Sequence, residues 1–359
     1  PPAFNVQPAS QSVLYGSKVV IPVTVTGTPP LVYRWQKNGA NLFDGQRFGG
    51  TTATTLAITN VQTSDFGSYQ LVVTNLYGST TSSPAMLSVV PVMSWGYNSQ
   101  GQTVVPLHFT NVISAEAKNG RSIALRSDGT VAVWPYDPST VPPAGLSNVV
   151  AVAKGYDPCA ALKRDGTITA WGPNVASPGN PSNVVAIAMG NINLMTIRSD
   201  TTASGLGTVT RSNILSISSG EEHGLMARED GTVVGWGNNS SGQATAPAGL
   251  SNVVAVSAGR YHSLALKSDG TVAAWGYSLY GQTNVPAGLS NIVEIAAGYM
   301  HNLALRADGS VVGWGDNTYS ESAIPANLSN VVAITGGNCY NVAIVENPAT
   351  PISPSIWWT

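Results

Sequence analysis

The chain has 359 residues, 16 Lys+Arg against 18 Asp+Glu, a formal net charge of −2 and only 9% charged residues, with 38 glycines and 23 prolines. Low charge beside 43% hydrophobic residues excludes a disordered chain, and the scarcity of Glu, Lys and Arg excludes a long-helix or coiled-coil protein. The balance offers no basic footprint for nucleic acid, no run approaches the roughly 18 apolar residues of a membrane-spanning helix, and two cysteines cannot build a disulfide scaffold. Pro1 at the start, with no leader visible, is expected of a processed or excised product.

Residues 1–90 read as short strands separated by turn residues: VVIPVTV after Gly16-Ser17, then Gly27-Thr28-Pro29-Pro30, then Tyr33-Arg34-Trp35. Leu56-Ala57-Ile58 and Asp65-Phe66-Gly67-Ser68-Tyr69 follow. A strand tryptophan followed by D-x-G-x-Y resembles the immunoglobulin-like sandwich with its tyrosine corner. The resemblance implies an inter-sheet contact at Val23 and Leu71, where antibody-type domains carry cysteines, and a spacer role for the domain.

From residue 92 the chain repeats. Copies start at Asn111, Asn148, Asn183, Asn213, Asn252, Asn291 and Asn330, with spacings of 37, 35, 30, 39, 39 and 39. Copy five shows the unit: an alternating run (VVAVSAG), a second run (HSLALK), an Asp-Gly turn and a third run (TVAAWG). That pattern predicts three antiparallel strands per copy, and units that cannot bury both faces alone must stack. Copy seven stops before its third run, and the missing piece, Val92-Met93-Ser94-Trp95-Gly96, stands at the head of the region. The expected fold is therefore all-β: an immunoglobulin-like sandwich at 1–90, a seven-bladed β-propeller at 92–347 closed by an N-terminal strand, and a Pro-rich linker or tail at 348–359. Trp357 and Trp358 either begin a further domain or pack back on the propeller.

The G-x-x-H-x-L-A-L…D-G-x-V-x-x-W-G wording resembles the regulator of chromosome condensation family. Its short unit and Gly-Gln-x-x-x-Pro segments are most similar to bacterial propellers of the beta-lactamase inhibitory protein type. Copy three departs at Thr201, in place of the turn glycine, and Leu206, in place of the tryptophan; copy one departs at Lys118 and Arg121. The resemblance implies a bacterial, secreted protein gripping a target with aromatic and acidic loop residues on one face.

The chemistry-bearing residues are mostly periodic. Asp128, Asp165, Asp230, Asp269 and Asp308 sit in Asp-Gly turns and Asp200 in the matching slot, so a turn role is expected. His223, His262 and His301 share one slot, while His108 does not. No carboxylate is spaced to orient these imidazoles, so hydrogen bonds between blades are expected rather than a metal site. Cys159 falls in a strand as a small hydrophobe and Cys339 in a loop; nucleophile elbows, phosphate loops and zinc-protease motifs are absent, and no cofactor is predicted.

Positions eight to ten of each copy vary and should emerge on one face. From them come the candidate ligand-binding residues Tyr156, Asp157, Glu221, Glu222, His223, Arg260, Tyr261, His262, Tyr299, Met300, His301 and Tyr340, a mixture suited to binding hot spots. A second variable set follows each Trp-Gly: Tyr97-Asn98, Tyr136-Asp137, Asn238-Asn239, Tyr277 with Tyr280, and Asp316 with Tyr319. The expected function is a non-catalytic, secreted or cell-surface binding and adhesion module for a protein or glycan. Its rivals are a structural or self-assembling segment of a larger surface protein, an inhibitor of a secreted enzyme, and a glycan-cleaving enzyme using Glu221, Glu222 or Glu294 in a central pocket.

Overall fold

The computed structural model describes residues 1–14, 16–89, 91–106, 109, 111–175, 181–191, 193–204 and 211–346. His108, Leu206, Trp357, Trp358 and the expected 348–359 tail lie outside them. The chain forms two compact units, Pro1–Pro91 and the repeat region Val92–Val105 with Asn111–Val345.

In the first unit, Gly67–Asn75 alternates buried and half-buried residues, the period-two signature of a strand with one face on a core. It pairs antiparallel with Val32–Lys37, setting Trp35 opposite Leu71, and with Gly78–Thr81 and Ala85–Val89. A second sheet joins Val19–Pro22, Thr55–Ile58 and Phe48–Gly49. Trp35, Val23, Leu56, Ile58, Tyr69 and Leu71 share one core, so apolar packing occupies the place of a disulfide. The Trp35 Nε1–H donates to the Ala53 carbonyl at 3.0 Å, and the Tyr69 hydroxyl to the Asp65 carbonyl at 2.8 Å, closing the corner.

The repeat region consists, among the described residues, of seven three-stranded antiparallel sheets. In copy five the strands are Val253–Ala258, His262–Lys267 and Val272–Gly276. Copy three keeps only Ala203–Ser204 of its third strand. In copy seven, Val331–Gly336 and Tyr340–Val345 are completed by Val92–Gly96, with Trp95 opposite Asn341. The first strand of copy seven also packs against that of copy one, Val112–Lys118, so neighbour contacts return to their start. First strands of all seven copies line one cavity of about 1040 Å³.

Two local devices set the units in register. The starting Asn of copies two to seven is left-handed (φ 53–59°), a conformation Asn tolerates better than most residues. In each turn an Asp carboxylate accepts from the N–H and hydroxyl two residues on, as Asp269 does from Thr271 at 2.9 and 2.6 Å. The following residue is left-handed, including Thr201 at φ 62° where the other turns use glycine. All six Asp residues are thereby committed to turns. Because three strands run up, down and up, the triplet loops and the loops after Trp-Gly emerge together. Backbone bonds join them: Tyr277 N–H to Tyr261 O, Asn238 N–H to Glu222 O, and Asp316 N–H to Met300 O, each at 2.9 Å. We call this the loop side and the Asp-Gly end the turn side.

Candidate functional site

Four of the predicted binding residues are not presented to a ligand. His223, His262, His301 and Tyr340 are buried, because the tenth position of a copy opens the second strand rather than ending the loop. Each reaches into the next copy. His223 Nε2 meets Ser263 Oγ at 2.9 Å, His262 meets Asn302 Oδ1 at 2.7 Å, His301 meets Asn341 Oδ1 at 2.6 Å, and the Tyr340 hydroxyl meets Ser122 Oγ at 3.0 Å. The receiving residues in turn donate to the loop carbonyls of the copy before: Ser263 to Gln243, Asn302 to Gln282, Asn341 to Glu321. Those same carbonyls take the indole N–H of Trp275, Trp314 and Trp95. Burial lowers the three imidazole pKa values to about 4, which keeps the rings neutral. The histidine slot is thus an inter-copy clasp.

The remaining candidates do gather on the loop side. Arg260 lies between two rings, its guanidinium carbon 4.6 Å from the Tyr261 centroid and 4.3 Å from that of Tyr299. Its Nε sits 3.2 Å from the Glu221 carboxylate. Tyr261 meets Tyr277 edge-on at 6.2 Å, and Met300 sulfur receives the Gln282 amide at 3.4 Å. Glu222 is exposed and accepts from Asn238, while Tyr156 projects beside half-buried Asp157. The loops after Trp-Gly enlarge the surface: Tyr136 is 80% exposed, Leu279 72%, Tyr280 48%, Tyr319 46% and Tyr97 36%. No tyrosine lies in the Asp-Gly turns, so the aromatic surface is one-sided.

The cavity holds charges that the sequence pattern hid. Lys118 replaces the glycine found at this place in the other six copies, and its Nζ donates across the lumen to Met189 O (3.2 Å) and Ser219 O (2.9 Å) of copies three and four. Burial lowers its pKa to about 8, against the opposing pull of Glu116 and Glu221. Glu116 and Glu294 face the same space; burial raises them to about 7 and about 8, with Glu116 pushing Glu294 further up. Glu294 accepts the Ile334 N–H at 3.3 Å. Lys154 is spent on its own loop, donating to the Gly155, Tyr156 and Asp157 carbonyls. Of these, sequence reading flagged only the Lys118 departure and Glu294; Glu116 sits mid-strand with no motif around it. Cys159 is buried and Cys339 half-buried, both free, with burial raising each thiol to about 11. No group of three or more His, Cys, Asp or Glu placed to hold a metal occurs among the described residues.

Comparison with known proteins fits this architecture. Residues 2–89 match the Immunoglobulin I-set domain. Residues 214–243, 253–282 and 292–321 match the Regulator of chromosome condensation (RCC1) repeat. The chain joins an I-set domain to RCC1-like repeats. Human Roundabout homolog 3 is 39% identical over 82 residues, which are 23% of this chain and 6% of that protein, so the chain spans a small part of its length. The WD40 ectodomain of the Arabidopsis thaliana receptor kinase ACR4 is similar in fold, with TM-score 0.54 and 17% identity over 73% of this chain and 94% of that one. The ectodomain of the Physcomitrella patens receptor kinase CR4 gives 0.52 and 23%, over 67% of this chain and 69% of that one. These two likenesses bear on the all-β, propeller-like fold.

Proposed function

We propose that the chain is a non-catalytic binding and adhesion module, working outside the cell or on its surface, whose loop side grips a protein or glycan. The observation that carries this reading is the one-sided distribution of tyrosine. Exposed rings from five copies crowd the loop side, while the turn side commits its polar groups to its own turns. Tyrosine supplies large contact area at low entropic cost, and a framework of clasped sheets holds it ready. The I-set and RCC1-like domain types suit protein interaction. The lumen acids Glu116 and Glu294 support a second, glycan-cleaving reading, because coupled carboxyls with raised pKa values are the usual equipment of acid–base chemistry.

The test uses the full chain on glycan arrays and on panels of candidate surface proteins and secreted hydrolases, beta-lactamases among them. A Tyr261→Ala/Tyr299→Ala variant is expected to lose roughly tenfold or more in affinity for whatever binds, and Asp165→Asn on the turn side to lose nothing. Unchanged binding by the double variant sinks the loop-side reading. Polysaccharide cleavage abolished by Glu294→Gln would replace it with the enzyme, and concentration-dependent ordered polymers would replace it with self-assembly.

A further inference from the structure

The loop side already shows how it holds one arginine. Arg260 is stacked between Tyr261 and Tyr299 and paired with Glu221, the combination of π faces and carboxylate that suits a planar, weakly hydrated guanidinium. Elsewhere on the same side similar parts stand together without a cation. The Tyr97 ring lies 4.6 Å from that of Tyr319, inclined at 59°, and both residues are exposed. Asp316 belongs to the same turn as Tyr319 and commits only Oδ1, which accepts from the Thr318 N–H and hydroxyl at 3.0 and 2.6 Å. Among the described residues no Lys or Arg pairs with Asp316.

The charge of the whole side points the same way. Arg121 cancels Asp137 at 2.8 Å and Arg260 cancels Glu221. Lys118 and Lys154 turn their ammonium groups into backbone carbonyls. Lys154 keeps its charge beside Asp157, while Glu222 and Asp316 remain without a basic partner among the described ion pairs. On the turn side every Asp has a Lys or Arg two residues before it, so that side is balanced.

We propose that Tyr97, Tyr319 and Asp316 form a docking point for an arginine side chain on a basic protein partner, an open counterpart of the Arg260 clamp. This rests on the loop-side reading above and names its partner class. The arginine lays its guanidinium on the tyrosine faces and directs N–H groups at Asp316, and the surplus carboxylates favour its approach.

The probe is a short alternating Arg-Gly peptide, titrated calorimetrically into the full chain beside the same peptide carrying uncharged citrulline. The arginine peptide is expected to bind roughly tenfold more tightly than the citrulline peptide. Tyr97→Ala/Tyr319→Ala loses that advantage, Asp316→Asn loses about threefold, and Asp165→Asn/Asp308→Asn changes nothing. Tyr97→Phe/Tyr319→Phe, which keeps the rings and the packing, retains binding and guards against a merely unfolded alanine variant. Equal affinity for the citrulline peptide, or indifference to the Tyr97 and Tyr319 substitutions, overturns the proposal. A glycan or protein ligand that still depends on Tyr261 and Tyr299 after such a result leaves the broader reading standing; a ligand indifferent to both tyrosine pairs removes the two together.

Discussion

The two arcs of the repeat region are held together differently. From copy four through seven to copy one, each interface carries a buried side-chain clasp, ending in Tyr340 on Ser122. From copy one to copy four the same slot holds Arg121, Pro158 and Asn193, and the clasp is gone. Close backbone approach persists in both arcs. A Cβ on Gly155 would meet the Gly190 carbonyl oxygen at 2.8 Å, and one on Gly220 the Gly259 oxygen at 2.2 Å. The comparison separates two jobs. Glycine brings neighbouring first strands together in both arcs, copy one with its Lys118 excepted, while the imidazole or phenol fixes their relative height only in part of the cycle. The clasped arc contains the three copies of uniform 39-residue length, and the unclasped arc contains the short ones. A buried polar pair tolerates no change of register, because either partner left alone pays the full desolvation penalty.

Breaking a clasp is the largest expected effect. His262→Ala leaves a cavity and strands Asn302, and should cost about 3 kcal/mol in denaturant unfolding. Asn193→Ala, in the same slot of copy three, is exposed and should cost under about 0.5 kcal/mol. Equal losses would erase the distinction between the arcs.

Acidity should weaken the clasped arc next. The three imidazoles have folded-state pKa values near 4, below their unfolded value, so their contribution is whole above about pH 6.5 and is lost as pH falls through about 4. Glu116 and Glu294, raised to about 7 and 8, contribute most below about pH 4.5 and lose it as pH rises through those values. For these five groups the trends balance at about pH 6. Melting curves across pH check this, and a His262→Ala variant should show a shallower acid limb. Among the clasp residues the smaller effect is expected of Tyr340→Phe, which removes only a hydroxyl and should cost about 1 kcal/mol, measured by the same unfolding.

Much of this was legible in the residues. Strand number per copy, the turn role of the six Asp residues and the pairing of the Trp95 strand with copy seven all follow from periodic local chemistry. The tyrosine corner was equally readable, through D-x-G-x-Y. The histidine slot was harder, since position ten lies one residue from a variable loop and burial depends on the next copy. A signal was present: the residue after the slot is Ser or Asn only at Ser122, Ser263, Asn302 and Asn341, each preceded one copy earlier by His or Tyr. Of the lumen charges, Glu294 was named for a central pocket from the sequence, whereas Glu116 and the reach of Lys118 were not legible. Glu116 and Lys118 acquire neighbours from copies distant in sequence, and nothing in their local wording announces the lumen.

Lys118 lies like a bolt across the end of a tube, rooted in one wall and caught in the wall opposite. Copy one is thereby tied to copies three and four across the cavity. Mild alkali, by stripping the proton that burial already loosens, removes the charge that strengthens those bonds.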